Sequence, residues 1–117
     1  MNLPRVSIIT PSYNQGQFIE KTILSVLNQN YHNFEHIIVD GGSIDNTLEI
    51  LKKYPYLIWI SEPDKGQSDT FNKGLKVSSG EIIGWLNSDD MYKQNIFSGI
   101  VKYFDEEPDI DVIYVKK

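Results

Sequence analysis

The sequence predicts an α/β fold in which a mostly parallel β-sheet is covered by helices on both faces. Apolar runs of strand length alternate with segments of helical periodicity, which is typical of repeated β-α units. The strand-like runs are continuously apolar, as expected for strands that are buried on both faces. The length of 117 residues corresponds to a single domain, which we assign to residues 1–117.

The first predicted β-α unit comprises a β-branched strand over residues 6–10 and a helix over 18–29. Pro11 is expected to end the strand, because proline cannot donate a hydrogen bond to a sheet ladder. The helix has apolar residues at i, i+4, i+7 and i+8, which fall on one face. These residues are Ile19, Ile23, Val26 and Leu27.

The second unit begins with a strand over residues 36–39. Ser43 is a predicted N-cap for the helix that follows, because serine side chains accept hydrogen bonds from the first free backbone N–H groups of a helix. The apolar stripe of this helix is Ile44, Leu48 and Leu51. A third strand is predicted over residues 57–60.

The remaining elements continue the same alternation. Phe71 and Leu75 predict a short helix that ends near residues 78–80, where the glycine is a natural C-cap. Residues 82–86 form the fourth predicted strand, and residues 111–115 form a fifth. Between these two strands lies a helical stripe of Phe97, Ile100, Val101 and Phe104.

Charge and composition exclude several classes of protein. The net charge is −5, and the excess of acids lies in one run over residues 105–111. This acidity argues against a nucleic-acid partner, which requires a basic face. The absence of cysteine excludes disulfides, a thiol nucleophile and cysteine-ligated zinc. No apolar run approaches the ~20 residues of a membrane span, so we expect a cytoplasmic or membrane-peripheral location.

The candidate site lies at the carboxyl ends of the strands, where open α/β sheets bind their ligands. The polar loops at these ends are residues 11–14, 40–43, 61–66 and 87–90. Asp89 and Asp90 follow the fourth strand, and paired carboxylates of this kind hold Mg²⁺ together with substrate phosphates. A solvated turn is the alternative interpretation of an isolated Asp-Asp pair.

Aromatic and acidic residues in the first two loops fit a nucleotide. Tyr13 can stack on a base, or it can pack over the first helix. Asp40 can accept hydrogen bonds from a nucleoside, or it can cap the following helix. Gly41 and Gly42 permit close approach of a ligand, although no phosphate-loop motif is present.

The third helix carries a weaker signal. Asp69 and Asn72 are three residues apart and share one helix face, which either faces the nucleotide or is an ordinary polar surface. Lys65 and Lys73 either offset phosphate charge or are solvated.

Five segments of the chain, in matching order, resemble the N-terminal half of family-two glycosyltransferases. They are residues 6–14, 25–29, 40–47, 61–67 and 80–90, so the resemblance covers nearly the whole chain. It implies a Rossmann-like GT-A fold that binds a nucleotide-diphosphate sugar with Mg²⁺ or Mn²⁺. The positions that match nucleotide-binding residues are Pro11, Ser12, Tyr13, Asn14, Asp40, Gly41, Asp69, Asn72, Ser88 and Asp89. The positions that match metal ligands are Asp89 and Asp90.

Two residues depart from the family pattern. Many relatives have a second aspartate where this chain has Gly41, which affects the choice of nucleotide. Many also have an aspartate where this chain has Asn87, so the charge available to a metal is lower.

The resemblance implies inverting transfer of a sugar to a hydroxyl of a glycan or lipid-linked acceptor, as in polysaccharide synthesis. The family's catalytic base follows the fifth strand, so we expect it beyond Lys117. We therefore expect the chain to be the donor-binding half of a domain, to bind nucleotide weakly and to be inactive alone. An exposed sheet edge would favour self-association.

Two alternatives remain at the level of sequence. One is a non-catalytic module that binds nucleotides or acts as a scaffold on the same fold. The other is a response-regulator receiver domain, which has a similar length and acidity. Receivers place their acid pair after the first strand, whereas this chain has Pro11, Ser12 and Tyr13 there.

Overall fold

A computed structural model of the chain describes residues 4–29 and 31–89. They form four strands and three helices. The strands are β1 (Val6–Ser12), β2 (Phe34–Asp40), β3 (Ile58–Ser61) and β4 (Ile82–Trp85), and the helices are α1 (Ile19–Leu27), α2 (Thr47–Leu51) and α3 (Gln67–Val77). Asp90, the helical stripe of residues 97–104 and the strand predicted over 111–115 lie outside the described residues.

The four strands form one parallel sheet in the order β3-β2-β1-β4. This arrangement confirms the predicted α/β class. It excludes the receiver domain, because receivers have the order 2-1-3-4-5, with the third strand beside the first. Here β1 lies between β2 and β4 instead. The carboxyl ends of the first three strands meet at one level, since Ser12 pairs with Asp40 and Asp40 pairs with Ser61.

Helices cover both faces of this sheet, as predicted. One apolar cluster joins β2 to α1 and α2, and another joins the opposite face of the sheet to α3. The first contains Ile19, Ile23, Ile38, Ile50, Leu51 and Leu57. The second contains Ile9, Ile37, Val39, Ile83 and Trp85, with Phe71 of α3 packed against it.

Pro11 does not end β1, contrary to the sequence prediction. The strand continues to Ser12, and Pro11 pairs with Val39 of β2. Ile9, two residues earlier, directs its carbonyl towards the β4 side, where it accepts from Leu86 N. Pro11 has the same orientation by the two-residue period of a strand. Its missing N–H therefore faces the side where β4 no longer pairs with β1.

The helix boundaries and exposed positions also correct the sequence prediction. The second helix begins at Thr47, and Ser43 is not its N-cap, because the Ser43 hydroxyl donates to Asp40 instead. Ile44 precedes this helix and is 88% exposed, so it does not belong to the apolar stripe. Leu27, at the end of α1, is likewise exposed.

The third helix is longer than predicted. It begins at Gln67 rather than near Phe71, and Ser78 is its C-cap in place of the glycine at position 80. Gly80 instead lies against Ser7 of β1, to whose hydroxyl its N–H donates over 2.8 Å.

Candidate functional site

The candidate site is the carboxyl edge of the sheet, which we define as the four loops that follow the strands. Loop 1 is residues 13–18, loop 2 is 41–46, loop 3 is 62–66 and loop 4 is 86–89. The parallel sheet brings all four loops to one side of the molecule, as the sequence predicted.

Asp40 lies at the end of β2 and is fully buried. Its Oδ2 accepts from Gly42 N at 3.1 Å, from Ser43 N at 2.7 Å and from the Ser61 hydroxyl at 2.9 Å. Its Oδ1 accepts from the Ser43 hydroxyl at 2.5 Å. These four bonds fold loop 2 back on itself and attach it to β3. Nucleoside binding by Asp40 stays a prediction, and the contacts observed are those of a residue that shapes the loop.

Asn14 attaches loop 1 to loop 2. Its N–H donates to Ser43 Oγ at 2.7 Å, and its Oδ1 accepts from Ile44 N at 2.9 Å. Asn14 has φ of +50°, a left-handed conformation that asparagine tolerates better than most residues. Ser43 thus links Asn14 to Asp40, and the three residues form one hydrogen-bonded chain across the two loops.

A second set of bonds joins the same loops further along the chain. Gln15 N donates to Thr47 Oγ1, and Gly16 N donates to Asp45 Oδ2. Asp45 also accepts from Thr47, and these bonds hold the pKa of Asp45 below its ordinary value. Loop 1 is therefore fixed at several points, although most of its residues are partly or fully exposed.

Tyr13 is the exposed aromatic residue of loop 1, with 57% of its surface accessible. Its ring lies beside Gly41 of loop 2, where a Cβ added to the glycine would be 3.5 Å from Tyr13 Cδ1. The same added atom would be 2.8 Å from Oδ2 of Asp64 in loop 3. An aromatic ring, a bare backbone and a carboxylate from three loops therefore converge on one place.

Ser12, another predicted nucleotide-binding residue, ends β1 and is buried. Its hydroxyl has no hydrogen-bond partner in the part of the chain that the structure describes. Buried hydroxyl groups are normally paired, so this unpaired hydroxyl is an exception at the carboxyl edge. Pro11 precedes it within the strand and is partly buried.

Asp69 and Asn72 on α3 have different surroundings. Asp69 Oδ2 accepts from Lys65 N at 3.0 Å, and it lies 3.3 Å from Lys73 Nζ. The bond from the Lys65 backbone is the main cause that lowers the pKa of Asp69. Lys73 also contacts Glu62 at 3.2 Å, so its charge is already paired. Asn72 is exposed.

Loop 4 carries the predicted metal ligand Asp89, which is exposed. The carbonyl of Ser88 accepts from the Thr22 hydroxyl at 2.9 Å, which anchors the loop to α1. Asn87, which replaces an aspartate of many relatives, accepts through Oδ1 from Trp85 Nε1 at 3.1 Å.

The carboxylates of Asp89 and Asp90 fit a cation that is held partly by the substrate. Among residues 4–29 and 31–89, no group of three His, Asp or Glu side chains can hold an ion by itself. Magnesium often takes only one or two carboxylates and completes its shell with substrate phosphates and water. Asp89 with the adjacent Asp90 matches that donor set, whereas an all-protein cage does not occur in the described region.

The sequence placed Ser43, Ser61 and Asp64 in the polar loops of the site but predicted no site role for any of them individually. Ser61 is the register partner of Asp40 on β3, so an accurate strand alignment would have placed them together. Asp64 lies in a loop whose path no local pattern specifies. Its approach to Gly41 becomes visible only in three dimensions.

A parallel sheet with ligand-accessible loops at its carboxyl edge defines a Rossmann-like α/β binding domain. Residues 7–116 match the family model for glycosyl transferase family 2, and the chain therefore belongs to that family. This membership confirms the resemblance found in the sequence.

Curated relatives of the chain are named as glycosyltransferases. TuaG of Bacillus subtilis strain 168, named for teichuronic acid biosynthesis, is 39% identical over an alignment of 98 positions, and the match covers 79% of this chain and 38% of TuaG. The poly(ribitol-phosphate) β-N-acetylglucosaminyltransferase TarP of Staphylococcus aureus strain N315 is 35% identical over 86% of this chain and 33% of TarP. The match thus covers about a third of the length of these relatives.

Solved structures share the fold. TarS of S. aureus in complex with UDP-GlcNAc superimposes with a TM-score of 0.79 and 28% identity, over 87% of this chain and 31% of that chain. The mannosyltransferase PcManGT of Pyrobaculum calidifontis, in complex with GDP-Man and Mn²⁺, gives a TM-score of 0.80 with 26% identity, over 88% and 33% of the two chains. In the described part of this chain, no helix is both long and apolar enough to cross a membrane.

Proposed function

We propose that residues 1–117 form the donor-binding part of an inverting glycosyltransferase, which transfers a sugar from a nucleotide-diphosphate sugar to an acceptor hydroxyl. The observation that carries this proposal is the convergence of loops 1, 2 and 3 on Tyr13, Gly41 and Asp64. This arrangement offers an aromatic surface and a hydrogen-bond acceptor to a nucleobase.

In this proposal the nucleoside lies on loops 1 and 2, and the diphosphate lies near loop 4. Pro11, Ser12, Tyr13 and Asn14 border the base, and Asp69 and Asn72 lie on its α3 side. Ser88 and Asp89 approach the ribose and diphosphate. When bound, Mg²⁺ or Mn²⁺ stabilises the leaving diphosphate as a Lewis acid. Asp89 and Asp90 would hold the ion, in line with the Mn²⁺ in the PcManGT structure.

The acceptor and the catalytic base belong to the wider protein in this proposal. Displacement at the anomeric carbon requires a general base to take the proton of the acceptor hydroxyl. We place this base beyond Lys117, because the chain spans about a third of the length of its relatives. A glycan or lipid-linked acceptor in polysaccharide synthesis is consistent with the names of TuaG and TarP.

Calorimetric titration of the chain with UDP, GDP and dTDP, with and without Mn²⁺, tests the donor site. We expect one of these nucleotides to bind, with affinity that rises when Mn²⁺ is present. The variants Asp89→Asn and Asp90→Ala should lose the effect of Mn²⁺ and retain most of the metal-independent binding. Glu81→Gln is a matched control, because Glu81 is exposed at the opposite edge of the sheet, next to the start of β4.

Each result of this titration has a distinct meaning. Absence of binding by all three nucleotides would contradict the proposal and favour a scaffolding module. Binding of equal affinity with and without Mn²⁺ would support the nucleotide site and contradict the proposed metal site. A donor-sugar assay completes the test, because sustained turnover by residues 1–117 would contradict the placement of the base beyond Lys117.

We further propose that the chain self-associates through its sheet edge. β3 is an edge strand of the described sheet, and Ile58 on it is 37% exposed. Open edges of this kind pair with other chains. Light scattering should show a mass above that of the monomer, and a clean monomer would contradict this expectation. The cytoplasmic or membrane-peripheral location stays a prediction.

A further inference from the structure

Asp64 occupies an unusual position at the carboxyl edge. Its Oδ2 lies 2.8 Å from the place that a Cβ at position 41 would take, which is closer than real Cβ contacts come. The carboxylate can lie there only because residue 41 is glycine. Tyr13 Cδ1 is 3.5 Å from the same point, so the ring and the carboxylate border one small space over the loop 2 backbone.

The two oxygens of Asp64 differ in their contacts. Oδ1 accepts from Gly66 N at 3.2 Å, which fixes the side chain within loop 3. Oδ2 has no donor among the described residues. Asp64 is only partly buried, so a ligand above Gly41 can reach this oxygen. One oxygen thus positions the side chain, and the other is free to accept.

Asp40 is less suited than Asp64 to accept a hydrogen bond from a ligand. It is fully buried, and it already accepts four hydrogen bonds from loop 2 and β3. A base stacked on exposed Tyr13 would lie on the accessible side of Gly41, where Asp64 Oδ2 is the carboxylate oxygen at hand.

We infer that Asp64 is a specificity-determining residue that accepts the imino N–H of a nucleobase stacked on Tyr13. This inference rests on the proposed function and adds the class of base. Uracil, thymine and guanine carry such an N–H, and their diphosphates would be selected. Cytosine and adenine present a ring-nitrogen lone pair at the equivalent position, which a carboxylate repels.

UDP and CDP form the sharpest pair of probes, because their bases differ only at the Watson–Crick edge. We expect the wild-type chain to bind UDP roughly tenfold more tightly than CDP, as for a hydrogen bond to a charged group at a partly exposed site. In Asp64→Asn the ratio should fall to about one, because an amide can donate to the cytosine nitrogen or accept from uracil. Glu81→Gln should keep the wild-type ratio.

A double-mutant cycle tests whether Gly41 and Asp64 act together. The added methyl of Gly41→Ala must displace the Asp64 carboxylate, so each single variant, Gly41→Ala and Asp64→Ala, should bind UDP about tenfold more weakly. The double variant should be no weaker than either one. CDP affinity should not fall in any of the three, because cytosine has no hydrogen bond to the carboxylate to lose. Urea unfolding of each variant would show that the loss does not come from unfolding.

The outcomes separate this inference from the proposed function. If UDP and CDP bind equally well to the wild type, or if Asp64→Asn keeps the preference for UDP, the inference is wrong and the donor site stands. Additive losses in the double-mutant cycle would also overturn it. If neither UDP, GDP nor dTDP binds, both the inference and the proposed function fail.

Discussion

The two edges of the sheet differ in how their carboxylates are satisfied. At the amino edge, Glu35 accepts from the Ser7 hydroxyl and from Ser79 N, both at 2.6 Å, and it contacts Arg5 at 3.4 Å. Its donors come from β1 and from the turn before β4, so Glu35 joins three strands. At the carboxyl edge, Asp40 binds mainly its own loop, and Asp64 and Asp89 stay accessible.

This difference separates stability from binding. A carboxylate whose donors all come from the protein holds distant segments together and has little left for a ligand. Accessible carboxylates contribute little to folding, because water satisfies them as well as the protein does. We therefore expect substitution of Glu35 to change the free energy of unfolding, and substitution of the accessible Asp64 and Asp89 to change nucleotide affinity.

The largest expected effect is that of Glu35→Ala. The substitution leaves the buried hydroxyl of Ser7 and the N–H of Ser79 without their acceptor, so we expect a loss of about 3 kcal/mol in the free energy of unfolding. Urea unfolding measures this loss, and Glu81→Ala is the exposed control. A loss below about 1 kcal/mol would show that the amino-edge network is not a structural link.

Acid should weaken the fold through His36. This residue is fully buried, and burial lowers its pKa from 6.5 to about 3. The unfolded chain therefore binds a proton that the folded chain excludes, so stability is complete above about pH 6.5 and is lost as the pH falls towards 3. From pH 7 to pH 5 we expect a loss of about 2 kcal/mol.

His36→Gln isolates this effect, because glutamine does not titrate and can still bond to Thr10, which contacts His36 Nε2 at 2.7 Å. Its free energy of unfolding should be nearly flat over the same pH range. Burial alone would raise the pKa of Glu35, but hydrogen bonds from Ser7 and Ser79 lower it below 4.5, so its own contribution is lost only at lower pH. An unchanged slope in His36→Gln would contradict the assignment.

A pair of glycine substitutions compares the edges directly. A Cβ at Gly80 would clash with backbone atoms of Arg5 and Ser7 at 2.8 Å, whereas a Cβ at Gly16 would meet the side chains of Asn46 and Asp45. Shifting the backbone at the sheet edge costs more free energy than rotating a side chain, and the exposed Asn46 side chain can rotate away. We expect Gly80→Ala to cost about 2 kcal/mol and Gly16→Ala less than about 1 kcal/mol in urea unfolding. Equal losses would remove the distinction between the edges.

The sequence predicted the parallel sheet and the loops of the site better than their details. Continuous apolar strands and helical stripes are local signals, so the order of elements and the helices on both faces of the sheet followed from them. The interpretation of Ser43 as a cap failed because Asp40, three residues earlier, competes for its hydroxyl. The interpretation of Pro11 failed because the effect of a missing N–H depends on which neighbouring strand it faces. Both outcomes depend on tertiary neighbours.

The smallest expected effect is that of Glu62→Gln in loop 3. Glu62 is 55% exposed and contacts Lys73 at 3.2 Å, and Lys73 keeps Asp69 as a second partner. An exposed ion pair of this kind contributes about 0.5 kcal/mol or less, and salt screens it. Urea unfolding at low and at high ionic strength should therefore show a small loss that disappears with added salt. Because Glu62 and Glu35 are both ion-paired glutamates, a loss as large as that of Glu35→Ala would mean that pairing, rather than burial among backbone and hydroxyl donors, determines what a carboxylate contributes to this fold.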